Sequence, residues 1–313
     1  MRWTAIVNPR AGRGRARRLL PRLQAALDAA GIDAHLTRDV DEGAMLARAS
    51  FDRGDGIVAC GGDGTVAALA GIASEMDGPL AIVPTGAGND FARHLGIDHR
   101  RPLDAVALLA DVAGNGGTLA RVDLGRATAA DGTQRWFTTV ANTGFDAEAN
   151  RWANGVRWAT GTPLYVLAML RTIVAYRAQT ISVRADDRDW QGPAWLVAVG
   201  NTSRYAGGMR ITPDAQVDDG LFDVCVVGRT SRLELVARFP SVFRGTHTRA
   251  AAVEMFRGAR VEVSAGDDRA AASGLELWAS GEQVGPLPAV IEVVPGAVEV
   301  LVPAAAGGGA TRP

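Results

Sequence analysis

Five consecutive residues, Gly61-Gly62-Asp63-Gly64-Thr65, combine types and spacing that suit phosphate chemistry. Glycines let a backbone approach a ligand closely, and the amides at a helix start offer donors and a positive dipole end. Asp63 adds a carboxylate suited to Mg2+ or to ordering a polar network, which a plain anion cradle does not need. The same residues also suit an ordinary glycine turn capped by Asp63, because short glycine motifs arise often by chance. Two more polar segments weigh on the choice: Asn8-Pro9 with Ala11-Gly12, and Pro84-Thr85-Gly86-Ala87-Gly88-Asn89-Asp90.

The elements around these segments would bring them together. Short apolar runs at 3–7, 32–36, 56–60 and 80–83 read as strands. Between them, 19–30, 42–53 and 66–73 carry apolar residues at helical spacing or strong helix formers, and 103–109 reads as a further short helix. This alternation predicts βαβ units and a mostly parallel sheet. In such sheets ligands lie at the carboxyl ends of the strands, where Asn8, residues 61–65 and residues 84–90 would gather. Near residue 122 the texture changes. The runs at 137–142, 181–184, 195–201, 222–227, 259–263 and 290–294 read as mainly antiparallel strands, so a domain boundary is expected there. The apolar helical stretch at 163–175 is too short to span a bilayer; it suits packing on the second domain's sheet or lying at a membrane surface. The Ala/Gly-rich tail, 304–313, is expected to be disordered.

Composition narrows the class. At 313 residues, about two domains of ~150 residues each are expected. With 47% hydrophobic and 21% charged residues the chain reads as an ordinary soluble protein, and a net charge of −1 gives no case for nucleic acid. Cys60 and Cys225 both sit in apolar runs, as buried thiols of a reducing compartment do. The first apolar run is too short for a signal peptide, and no run reaches the length of a membrane span.

The motifs in their order resemble the bacterial diacylglycerol kinase-like lipid kinases, whose relatives include the sphingosine and ceramide kinases. The resemblance rests on Val7-Asn8-Pro9 with Ala11-Gly12, on residues 61–65, on Gly86 with Gly88-Asn89-Asp90-Phe91-Ala92-Arg93, on Val122-Asp123-Leu124-Gly125, and on Asn142-Thr143-Gly144-Phe145-Asp146. It continues through Gly207-Gly208, Thr212-Pro213-Asp214-Ala215, Asp218-Asp219-Gly220-Leu221 and Gly281-Glu282 with Pro288. It implies an α/β nucleotide-binding domain like that of NAD kinases (1–122, with 297–303 returning to it) and a mainly antiparallel β-sandwich lipid-substrate domain (123–296). The active site is expected in the cleft between them. The implied protein is an ATP- and Mg2+-dependent phosphotransferase of phospholipid metabolism, cytoplasmic and peripheral at the inner membrane surface.

The implied roles follow residue by residue. Asn8, Gly61, Gly62, Gly64, Thr65, Gly86, Gly88 and Asn89 would hold ATP, with Asp90 in the same network or acting as a helix N-cap. Thr65 suits either a phosphate contact or a helix cap. Glu282 would be the general base, and Asp63 would organise Mg2+–ATP. In bacterial relatives the acidic turn holds a structural Mg2+, which implies Asp219 with the carbonyls of Gln216 and Leu221 as ligands, linked through Asp123. Arg15, Arg18 and Arg22 share a helical face opposite the leucines, the pattern of a solvated surface; with Arg13 and Arg93 the same edge would also meet anionic headgroups. Trp152 and Trp158 suit either a lipid entrance or core packing. Two positions depart from the family pattern: Ala87 stands where a Thr is usual, and Ser280 where an Asp is usual. They leave room for a soluble NAD kinase-like enzyme or a catalytically weak lipid or nucleotide sensor. The acceptor lipid and the oligomeric state are not legible.

Overall fold

In a computed structural model, residues 2–110, 117–149 and 161–304 are described. They fall into two compact units, Met1–Leu124 with Pro295–Pro313, and Gly125–Val294.

The first unit is a parallel sheet with helices. In chain order it holds β1 (Trp3–Val7), α1 (Arg15–Ala29), β2 (Asp33–Leu36), α2 (Val40–Asp52), β3 (Gly56–Gly61), α3 (Asp63–Glu75), β4 (Leu80–Pro84), α4 (Asp90–His94) and α5 (Pro102–Ala110). β1 pairs in parallel with β2 and β3, and β3 with β4. β3 and β4 are buried along their whole length, so they read as unbroken apolar runs rather than alternating ones. α2 starts at Asp39, whose side chain accepts the amide of Glu42 at 2.9 Å. The register sets Val7 opposite Cys60, Cys60 opposite Val83 and Gly61 opposite Pro84. Three strands therefore end level, and the loops after them leave from one edge.

The second unit is antiparallel. β5 (Gly117–Thr128) leads into it, followed by β6 (Gln134–Phe137), β7 (Val140–Gly144), α6 (Gly161–Ala175), β8 (Gln179–Ala185), β9 (Arg188–Ala194), β10 (Leu196–Gly200) and β11 (Phe222–Val227). Then come α7 (Arg232–Val242), β12 (Val253–Gly258), β13 (Arg260–Ala265), α8 (Asp268–Ala272), β14 (Glu276–Ala279), β15 (Glu282–Pro286) and β16 (Ala289–Pro303). One sheet runs in the order β12-β11-β10-β7-β14-β15. β8, β9, β13 and the start of β16 pair antiparallel alongside each other, and the end of β16 lies parallel to β4 through Val300 and Leu80.

The period-two pattern of β10 and β11 divides the second unit's core. Val197, Val199, Phe222, Val224 and Val226 point into an inter-sheet core with Val183, Val261 and Ile291. Leu196, Ala198, Cys225 and Val227 point the other way, into a core closed by Ile173 of α6 and by Leu235, Phe239 and Val242 of α7. Both faces are covered, which is why these strands read as continuous apolar runs.

The structure departs from the sequence expectation at 137–142. That run is split between β6, which pairs with β5, and β7, which pairs with β10 and β14. Thr138 and Thr139 make the crossing, both buried. β5, β9, β12, β14, β15, α7 and α8 were not expected. Trp152, Trp158 and residues 305–313 lie outside the described residues.

Candidate active site

The three loops of the first unit meet backbone to backbone. A Cβ built on Gly86 would stand 2.4 Å from Gly62 Cα, so this approach requires glycine. The amides of Thr85 and Gly86 both donate to the Gly61 carbonyl, at 2.9 and 3.1 Å. Asn8 ties in the first loop: its Nδ2 donates to Thr65 Oγ1 at 2.9 Å, and its Oδ1 accepts the Arg10 amide at 2.9 Å. Thr65 therefore serves as the link to Asn8 and is not the N-cap of α3, a position held by Gly62. Asn89 is in the left-handed region at φ 53°, and its side chain closes its own loop by accepting from Gly86 N and donating to Gly86 O, both at 2.9 Å. Ala87 is exposed, whereas Thr85 is buried with its hydroxyl unpartnered.

Asp63 joins two helix starts. It is the first residue of α3, and it receives the amides of Asn89, Asp90 and Phe91 at the start of α4, with Phe91 N 3.3 Å from Oδ1. Burial pushes this carboxyl above its ordinary value, while those amides pull it down. Asp63 thus caps the start of α4 as well as standing at the start of its own helix. Asp90 pairs with Arg93 at 3.5 Å. Asp123 is buried, and its Oδ1 accepts the amide of Gly296 at 2.7 Å. Arg15 turns inward, donating to Gly86 O at 3.3 Å and to His99 O at 2.9 Å. Arg15 and Arg93 therefore serve the loops, while Arg18 and Arg22 remain exposed. The side chain of Arg13 lies outside what the structure describes.

In the second unit, Glu282 opens β15, directly after a two-residue hairpin turn. Ser280 and Gly281 have φ of 48° and 82°, as a type I′ turn requires, and Ala279 pairs with Glu282 across it. Glu282 is exposed. Ser280 Oγ faces the amides of Thr138 and Thr139, at 3.3 and 3.4 Å, and lies 3.1 Å from Thr139 Oγ1. The residue that departs from the family pattern therefore supplies an oxygen acceptor pinning the hairpin tip to the crossing between β6 and β7.

The acidic turn is tied to the neighbouring strand β12. Asp219 Oδ1 accepts the amide of Leu221 at 3.1 Å, and its Oδ2 contacts the Arg257 guanidinium. Arg257 also lies 3.4 Å from Asp223, its cross-strand partner on β11. Burial pushes the Asp223 carboxyl up, and Asp219 and Asp214 push it further against the pull of Arg257. Gln216 is exposed. Among the described residues, no group of three or more His, Cys, Asp or Glu side chains is arranged to hold a metal. The Arg257 guanidinium thus meets the carboxylate that the resemblance assigns to a cation.

Residues 2–127 match the family described as "Diacylglycerol kinase catalytic domain", and residues 139–302 match "YegS C-terminal NAD kinase beta sandwich-like domain". A Mycobacterium tuberculosis protein named diacylglycerol kinase is 34% identical over 309 residues, covering 96% of this chain and 94% of the relative. A Stenotrophomonas maltophilia protein named "Probable lipid kinase YegS-like" is 31% identical over 263 residues, covering 82% and 81%. The chain belongs to the diacylglycerol kinase-like family of lipid kinases. A solved structure of a diacylglycerol kinase from Bacillus anthracis shares the fold, with a TM-score of 0.69, 20% identity and 96% coverage of each chain.

This lipid kinase has an apolar cavity in its second unit that the motifs did not reveal. Phe145, Leu196, Tyr205, Met209, Leu235 and Phe239 are among its walls, and its volume is about 60 Å3. Thr230, Glu234 and Arg238 bring polar groups to it. α7 forms one wall, and a signal that the sequence analysis did not use marks its start: Ser231 accepts the amide of Glu234 at 3.2 Å, the Ser-x-x-Glu pattern before an apolar run. Arg15's part in the loops had no such signal, since its partners are carbonyls distant in sequence. Among the described residues, no helix of the kinase is long and apolar enough to cross a membrane.

Proposed function

We propose that this lipid kinase transfers the γ-phosphoryl group of MgATP to the free hydroxyl of diacylglycerol or a closely related lipid. The observation that supports a lipid acceptor is the apolar lining of the second unit's cavity, a chemistry that suits an acyl chain better than a soluble dinucleotide. The names of the relatives point to the same acceptor.

The amides of Gly62, Gly64 and Thr65, with that of Gly88, hold the phosphates, and Asn8, Asn89 and the Gly86 amide keep these loops in shape. Asp63 orders the start of α4, and its carboxylate would help hold the Mg2+ that arrives with ATP. Glu282 takes the proton of the lipid hydroxyl as its oxygen attacks the γ-phosphorus, the bond to the β-phosphate oxygen breaks, and ADP leaves. Ser280 holds the hairpin that presents Glu282.

Purified protein with Glu282→Gln tests the base. The expected result is a fall in turnover of at least about a hundredfold with an unchanged melting temperature. Unchanged turnover would remove Glu282 from the mechanism.

A further inference from the structure

The arginine-rich edge of α1 is partly drawn into the nucleotide loops, yet a lipid acceptor has to be met at a membrane. The second unit carries a different surface with the required chemistry. α7 is apolar on two opposite faces. Leu235, Phe239 and Val242 turn inward to the cavity, whereas Leu233 and Val236 turn to solvent with relative exposures of 83% and 42%. One helical turn pattern on α6 does the same: Leu167 and Val174 are exposed at 44% and 72%, while Ala168 and Ile173 are buried. The two helices are joined by Arg232, whose guanidinium donates to the carbonyls of Ile173 and Tyr176 at 3.2 and 3.1 Å. Exposed apolar side chains on adjoining helices, rimmed by charge, are the mark of a docking surface and not of a solvated one.

Charge identifies the partner. The whole chain has a net charge of −1, but residues 167–178 and 229–249 together hold seven arginines and one acidic residue, Glu234. Glu234 is itself engaged, accepting from Thr230 at 2.6 Å and from Arg238 at 2.9 Å. A cation-rich, apolar-tipped pair of helices complements an anionic bilayer, with arginines at the headgroups and Leu233, Val236, Leu167 and Val174 among the upper acyl carbons. The same helix α7 walls the cavity, so a lipid entering the cavity would come from the surface the helix rests on.

We infer that the exposed faces of α6 and α7 dock this protein on an anionic membrane surface. The inference rests on the lipid-acceptor reading above, and its test separates the two. Full-length protein is sedimented with vesicles of phosphatidylcholine alone and of phosphatidylcholine mixed with phosphatidylglycerol, alongside Leu233→Glu/Val236→Glu. Activity is measured in parallel on a short-chain, water-soluble diacylglycerol. The expected result is binding at least about tenfold stronger to the anionic vesicles, lost about tenfold in the variant, with activity on the soluble lipid retained. Equal binding to both vesicle types, or unchanged binding by the variant, would overturn the inference. Loss of the variant's activity on the soluble lipid would also overturn it, placing these residues in the cavity's service. Wild-type protein that binds anionic vesicles but never phosphorylates the soluble lipid would keep the docking surface and reject the acceptor.

Discussion

Asp63 sits between opposed demands, and the opposition is testable. Its folded carboxyl is raised by burial, so its contribution to stability is complete below the carboxylate range of the unfolded chain and is lost as pH rises through the folded value. At neutral pH the charge therefore weakens the fold. Asp63→Asn keeps an oxygen for the Phe91 amide and removes the charge. Its melting temperature is expected to rise by a few degrees while activity falls at least about a hundredfold. A variant that melts lower would contradict this account. Ser280 makes a second case. Ser280→Ala removes the acceptor facing the Thr138 and Thr139 amides, a loss of about 1 kcal/mol, and is expected to lower kcat at unchanged KM for ATP. Ser280→Asp, the usual family residue, is expected to restore kcat; failure to do so would make the contact purely structural. The glycines and Asp63 were legible because phosphate chemistry dictates residue types. The partners of Ser280 were not, because they lie about 140 residues away along the chain.

At the scale of elements, the alternation of apolar runs and helices predicted the parallel sheet, since a strand covered on both faces has to be apolar throughout. The same rule concealed β12 and β9, whose outward faces carry Glu254, Arg257, Arg188 and Asp189 and whose runs are therefore broken. β14 and β15 were missed because each is short and their turn is an uncommon Ser-Gly. The segment joining α7 to β12 holds His247, buried with Nε2 3.0 Å from the Ile211 carbonyl and 4.0 Å from Cys225 Sγ. Burial pushes its pKa below the ordinary value. Stability from a neutral buried imidazole is complete above about pH 6.5 and is lost as pH falls through the folded value. Urea unfolding across this range is expected to show a slope of up to about 1.4 kcal/mol per pH unit that His247→Gln reduces. Identical slopes in both proteins would contradict this. Both cysteines, with thiols pushed up to about 12 by burial, are packing residues here.

Over the whole molecule, near-neutral composition hid an uneven distribution of charge, with arginines gathered on α6, α7 and their flanks. The resemblance implies a structural cation at Asp219, and the same carboxylate is met by Arg257 from a strand that pairs with β11, 38 positions further on. Removal of divalent cations with a chelator is accordingly expected to leave the melting temperature of the nucleotide-free protein unchanged. A marked drop would restore a structural cation to the fold. The central claim is phosphoryl transfer to a lipid, and it is tested most directly with γ-labelled ATP, Mg2+ and diacylglycerol in anionic vesicles, alongside NAD as a soluble acceptor. The account predicts label in phosphatidic acid, none in NADP, and at least about a hundredfold less product with Glu282→Gln. Label in NADP, or in no lipid despite ATP binding, would contradict it.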